Sequence, residues 1–382
     1  MSILFVIATC TVLIWFGWRQ DLQGRSYPLV GMACLYGIAM LATGSGIPLD
    51  AITLSAISLA IWIAVSVLWA EKQYAVLEVF VWISYLTVFL AARTVPFELV
   101  AWALIPNAAI VSGLQIYKII KLGAKFEKRV VFSTAYPLFG NSNHSAVFLL
   151  IGLYASIWIA VNVTPYMHAI SLLIAVAIAI SNCRSAMLAM CVSLATLALL
   201  TKSQPIICAA LIAACMVAVF SKRIILTLKG NLVDDRAAIY VDAFKSIHPK
   251  FITGRGINYF RTSHYGRVHN DHLELVGEIG IIGYLIFISI FAQMSLDPVI
   301  LCAVIAYFIA SLFFYPLREV HTAVPFWALV GAASGGFVPE SFPVLKATMI
   351  LSLIAVMIFV FTVFCNLMDW SVSESREAGV IK

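Results

Sequence analysis

The sequence predicts an all-α fold, a polytopic transmembrane helical bundle of about 12–13 helices with one larger extramembrane loop carrying a short amphipathic helix, and three observations predict it. Of the 382 residues, 63% are hydrophobic and only 11% charged. That is too little polar surface to close around a water-soluble core. Uncharged apolar runs near the roughly twenty residues that cross a bilayer recur along the whole chain. The runs are continuously apolar instead of alternating, so helices and not barrel strands satisfy their backbone in lipid.

In order, the runs fall at 2–18, 27–43, 50–70, 74–92, 97–117, 145–163, 166–182, 185–200, 205–221, 271–294, 298–315, 322–338 and 345–367. The first has no basic residues ahead of it and no small-residue cleavage pattern behind it, and it reads as a retained span. The 8 cysteines lie in or beside apolar runs without CxxC spacing, so they read as small core hydrophobes. The chain is therefore expected to be a single integral membrane domain, 1–382, with residues 222–270 as its large loop.

Placing the spans in order gathers the polar features on one face. It carries the link 118–144, the turn "SNCRS" at 181–185, the loop 222–270 and "YPLREVH" at 315–321. Loops converging in this way are how a membrane enzyme assembles a site from distant parts of its chain. The other face offers Arg93 and Lys202, which read as interfacial anchors, and Lys346. The lysines from Lys118 to Lys128 read either as guides for an anionic glycan or as a solvated basic face.

Within the loop, "NLVDDRAAIYVDAFKSIHP" predicts a short helix capped by Asn231 or Asp234. Val233, Ala237, Tyr240, Phe244 and Ile247 fall on one side, and His248-Pro249 ends it. Such a helix would lie along the membrane surface and present Arg236 from its first turn. "TGRG", 253–256, predicts a glycine turn where backbone approaches a ligand closely.

In "RVHNDHLELVGEIGIIGYLIF", Asp271 and Glu274 make a capping signature that starts the next helix just after His269 and Asn270. His269 then sits at a positive helix end, which favours a neutral imidazole able to accept a proton. Gly277, Gly280 and Gly283 form a small-residue stripe for close helix packing. A metal set of His264, His269, His272 and Glu274 lacks an HExxH spacing and competes with the cap for Glu274, so no metal is read here.

His269, Asn270, Leu273, Glu278, Gly280 and Gly283 form a pattern, His-Asn-x-x-Leu then Glu-x-Gly-x-x-Gly, that resembles the O-antigen ligase and O-antigen polymerase superfamily of bacterial envelope glycosyltransferases. Three more stretches agree: "SNCRSAMLA" with Arg184, "DRAAIY…GRG" with Arg236, Gly254 and Gly256, and "FGNSNHSAVF" with Gly140, Asn141 and Asn143. The similarity runs over roughly residues 135–335. It implies a ligase-like enzyme that moves a glycan from undecaprenyl diphosphate to an acceptor, lipid A-core or another glycan, in surface polysaccharide biosynthesis. It also implies a multi-pass protein of the bacterial inner membrane with a periplasmic active face, and no metal, nucleotide or other cofactor. Membrane lipids are the remaining partners, and nucleic acid is not one.

Residue by residue, the resemblance makes His269 the essential histidine, and Arg184 and Arg236 the arginines that meet the diphosphate. Asn270, Gly254, Gly256, Asn141, Asn143 and Arg318 are the expected substrate contacts. Taken alone, Arg184 reads equally as a snorkelling anchor, and His272 as a packing residue. The positive-inside rule would put the busy face in the cytoplasm. Either basic residues that hold an anionic substrate distort that count, or the count of thirteen spans is off by one, since thirteen helices put the termini on opposite sides and twelve would not; the periplasmic reading follows the family. A polymerase of the same superfamily is the alternative. A lipid or glycan transporter would mark its path with ionisable residues at mid-membrane, where Glu78 is the clearest exception to otherwise apolar spans.

Overall fold

A computed structural model describes residues 48–70, 75–122, 141–181, 183–201, 236–260 and 267–335. Those residues fold into ten α-helices with no strand among them. The expected spans at 2–18, 27–43, 205–221 and 345–367 lie outside the described residues. The helices are α1 (Ala51–Val65, extended by a 3-10 turn to Trp69), α2 (Ala75–Ala92), α3 (Phe97–Leu122), α4 (Ser142–Asn162), α5 (His168–Ile180), α6 (Arg184–Thr201), α7 (Arg236–Ile247), α8 (Asp271–Ala292), α9 (Pro298–Ser311) and α10 (Val320–Gly335). Six are long and apolar enough to cross a membrane: Ala51–Trp69, Ala75–Ala92, Phe97–Tyr117, Ser142–Asn162, Arg184–Thr201 and Asp271–Ala292. Pro165–Ile180 and Pro298–Ser311 are shorter apolar helices.

Helix α4 runs through the middle of the bundle, almost wholly buried, against α3, α5, α9 and α10. Helix α1 packs on α8, α2 on α10, and α6 on α9. Aromatic rings lock α8, α9 and α10 together: Phe287 and Phe291 meet Phe308 and Trp327, and Tyr307 stacks flat on Phe326 with centroids 3.8 Å apart.

The expected single span at 271–294 is broken. Gly280 takes φ 69, ψ 176, which interrupts the helical ladder of α8. The segment 251–256 fills the gap: Arg255 and Gly256 donate their N–H groups to the carbonyls of Gly277 and Glu278 at 2.9 and 2.8 Å, and Ile281 donates to the Phe251 carbonyl at 2.9 Å. Trp62 of α1 takes the Ile279 carbonyl through its indole N–H at 2.7 Å. Irregular backbone within a bundle persists where protein satisfies its polar groups, and here it does. The glycine stripe thus has three separate tasks. Gly277 makes room for Phe260, Gly283 for Trp62, and Gly280 is the break.

Helix α7 forms where the loop reading put a helix, but its apolar face is rotated. Ile239, Tyr240, Ala243 and Ile247 are buried in a small core with Phe260 and Val268, and Phe244 is exposed. The buried face therefore covers the base of α8. His248-Pro249 ends the helix as a 3-10 turn. The caps Asn231 and Asp234 lie outside the described residues. Arg93, read as an anchor, is buried and pairs with Asp50, the N-cap of α1.

Candidate active site

His269 is one of two non-glycine residues among those described with a left-handed backbone, at φ 59. That conformation is uncommon for a residue with a Cβ and persists where neighbours over-determine it. Neighbours do so on both sides. The Tyr240 hydroxyl donates to the His269 carbonyl at 3.1 Å, and the next residue, Asn270, caps α8 by accepting the Leu273 N–H at 3.0 Å.

The cap is one residue earlier than the sequence suggests. Asp271 instead occupies the first helical position and accepts the Leu317 N–H at 2.7 Å, tying α8 to the turn before α10. Glu274 is also diverted: it takes Arg267 Nη1 at 2.6 Å and the Val268 N–H at 3.4 Å. The result is a half-exposed imidazole on a fixed backbone, its ring 5.2 Å from that of Tyr315. Burial first, and then Glu319, pushes the Tyr315 hydroxyl up to about 12.

Below this rim lies a buried ionic nest centred on Arg318. Its guanidinium meets Glu278 at 2.7 Å, Glu78 at 3.2 Å, Glu274 at 3.6 Å and Asp271 at 4.0 Å, and it lies over the Trp82 ring. Burial pulls the charge of Arg318 toward neutrality, but the carboxylates overcome that and hold its pKa above the ordinary arginine range. Arg267 is held above it in the same way, burial opposing and Glu274 prevailing. The structure thus places Arg318, expected as a substrate contact, in the scaffold beneath the site with its side chain facing protein.

The other expected residues divide by position. Arg184 is the first residue of α6 and is exposed. Arg236 is the first residue of α7, and its side chain lies outside the described residues. Asn141 caps α4 by accepting the Asn143 N–H at 2.8 Å, and both are half-buried. Ser145 donates to Gln115 and Gln115 to the Ala177 carbonyl, each at 2.7 Å, which puts the start of α4, the end of α5 and hence the start of α6 at one end of the bundle. His269 is at that same end, through Tyr315, whose ring lies 6.0 Å from that of His144. Gly254 and Gly256 have φ 76 and 92. The backbone they approach is the chain's own: a Cβ would strike the Glu278 carbonyl at Gly254, and Ala70 at Gly256.

Sequence reasoning missed Glu278 and Arg267 as parts of one ionic nest, and it did not bring His144, in "FGNSNHSAVF", together with Glu319 and His321, in "YPLREVH". Nδ1 of His144 lies 3.0 Å from Nε2 of His321 and 3.7 Å from Oε2 of Glu319. Glu78 had stood out as an ionisable residue within an apolar run, and "YPLREVH" as a polar one. Neither signal names its partner. His272, by contrast, is the packing residue expected: Nε2 meets the Phe308 carbonyl at 3.3 Å, and the Tyr284 hydroxyl meets Nδ1 at 3.0 Å.

A search against protein-family models matches residues 169–288 to the family described as O-antigen ligase. The matched stretch runs from α5 through α8 to just past the break at Gly280, so it contains Arg184, Arg236 and His269. The resemblance seen in the motifs is thus found again over this part of the chain, within a bundle whose helices include six long and apolar enough to cross a membrane. No curated protein matches the chain.

Proposed function

On the premise of an O-antigen ligase domain in a helical membrane bundle, we propose that the chain is a glycosyltransferase that moves a glycan from undecaprenyl diphosphate to a hydroxyl acceptor, lipid A-core or a similar glycan, at the periplasmic face of the inner membrane. The observation that carries this reading is His269: an imidazole at the mouth of α8, half-exposed, on a backbone held from both sides.

In a single displacement, the acceptor oxygen forms its bond to the anomeric carbon while the bond from that carbon to the diphosphate oxygen breaks. The acceptor proton goes to His269. The lipid diphosphate leaves with the electron pair, its charge met by Arg184 and Arg236, whose planar forks suit phosphate oxygens. A diphosphate leaving group stabilised in this way needs no metal at the reacting centre. Asn270, Asn141 and Asn143 supply polar edges at the same end of the bundle. That the ionisable groups described inside the bundle pair around Arg318, instead of lining a path, favours chemistry at the rim over transport.

The test is transfer by purified protein in liposomes containing the lipid-linked glycan, without a gradient. His269→Ala is expected to slow transfer by about 10²–10⁴ while the protein remains folded. Near wild-type transfer by that variant overturns the assignment. Deleting the gene separates the acceptors: unattached long chains identify a ligase, and attached single repeats a polymerase.

A further inference from the structure

We propose that Tyr240 is a positioning residue for glycan transfer: its hydroxyl holds His269 in a left-handed backbone, and its place on α7 sets the spacing between that imidazole and Arg236. This role rests on the reading of His269 as the base.

Tyr240 follows Arg236 by four residues in α7, so both positions fall on one face of the helix, about 6 Å apart along its axis. The Tyr240 ring belongs to the same small core as Val268, the residue before His269. Only 2% of Tyr240 is exposed. A phenol so deeply buried needs a partner for its hydroxyl, and here it donates to the His269 carbonyl at 3.1 Å.

That carbonyl stands just outside the ladder of α8. The first bond of the ladder runs from the Glu274 N–H to the Asn270 carbonyl at 2.9 Å, one residue further on. Helix α8 therefore fixes the chain only from Asn270 onward, through the Leu273 N–H on the Asn270 side chain at 3.0 Å and the Asp271 N–H on the Phe314 carbonyl at 3.3 Å. Helix α7 grips the chain on the other side, by the ring against Val268 and the hydroxyl on His269. His269 is held between them at φ 59. Were φ to return to the negative values that a residue with a Cβ prefers, the Cα–Cβ bond would turn and carry the imidazole to another place on the rim.

A base must stand within hydrogen-bond reach of the acceptor oxygen while the departing diphosphate rests against its cations, and a misplacement of about 1 Å in such an arrangement costs up to about 10²-fold in rate. One hydroxyl joins the helix that begins with Arg236 to the backbone of His269, so it links the two halves of that geometry. Tyr240 acts through His269.

The test compares the full chain with Tyr240→Phe, which keeps the ring in its core and removes only the hydroxyl. In liposomes carrying the lipid-linked glycan, kcat is expected to fall about 10-fold or more, with KM for that donor within about 2-fold of wild type, because the loss falls on the transition state. Hydrogen exchange followed by mass spectrometry gives a second readout that needs no transfer: residues 267–271 should exchange about 3- to 10-fold faster in the variant, and residues 281–292 as in wild type. Tyr284→Phe takes a hydroxyl from His272 on the same helix and should leave both readouts within about 2-fold of wild type. Equal losses in the two variants mark a general loosening of α8 and overturn the proposal. Unchanged exchange over 267–271 in Tyr240→Phe overturns it while the role of His269 stands. Near wild-type transfer by His269→Ala removes the base, and faster exchange in Tyr240→Phe then still reports the tether. If Tyr240→Phe fails to fold, wild-type protein decides: exchange over 267–271 as fast as in an unstructured peptide overturns the proposal.

Discussion

Arg93 and Arg318 are both buried against acid, at opposite ends of α2 and α10, yet their surroundings differ in kind. Arg93 closes the end of α2 on one carboxylate, Asp50, whose side chain is 43% exposed, with the Thr53 hydroxyl alongside. Arg318 faces four carboxylates drawn from α2 and α8, and of these only Glu78 is more than 1% exposed. A single pair near solvent pins two helix ends. An acid-rich nest around one guanidinium fixes three elements, and those elements carry the rim on which His269 stands. The difference teaches where the molecule places its ionic strength, which is under the chemistry and away from the quiet end.

Removing the hub breaks the comparison most directly. Arg318→Ala takes the shared cation from four buried carboxylates, leaving Arg267 on Glu274 as the remaining cation described there, and is expected to cost about 3–5 kcal/mol, so that thermal melts in detergent show little folded protein. Arg318→Lys should not restore it, because a single ammonium lacks the planar fork that serves several carboxylates at once. Next in size, Gly280→Ala should cost about 2–4 kcal/mol, since the new Cβ would meet the Ile252 carbonyl and lie 2.6 Å from the Gly254 nitrogen at a left-handed backbone.

At the quiet end, Asp50→Asn should cost about 1–2 kcal/mol, because Arg93 then loses its only charged partner among the described residues. The hydrogen bond from Arg93 holds the Asp50 carboxyl well below the usual range. Its contribution is therefore full above the unfolded value of about 4 and is lost as pH falls below it. Melts from pH 6 down to 3 should show a loss of no more than about 1 kcal/mol in wild type, smaller in high salt and missing in Asp50→Asn. Smallest of all, Glu278→Gln should change stability by less than about 1 kcal/mol, because it removes one acid from an oversupplied nest and keeps the shape. A larger loss there than at Asp50 would reverse the comparison.

Most of the fold was legible in hydropathy, since a lipid-crossing helix must announce itself by length and composition. The start of α8 was legible too, from the polar run before an apolar one. What the residue pattern did not disclose was the division of labour inside it: Asn270, Asp271 and Glu274 can each cap, and only the neighbours Leu317 and Arg267 decide which one does. Gly280 reads the same as Gly277 and Gly283 because its break depends on the segment 251–256 arriving alongside. Glu78 and Arg318 lie 240 residues apart, and His144 and His321 lie 177 apart. No local spacing encodes such meetings.

Because 251–256 is stitched to the opened backbone of α8, the loop and the helix share one register. An inserted or deleted residue in that segment would unstitch the helix.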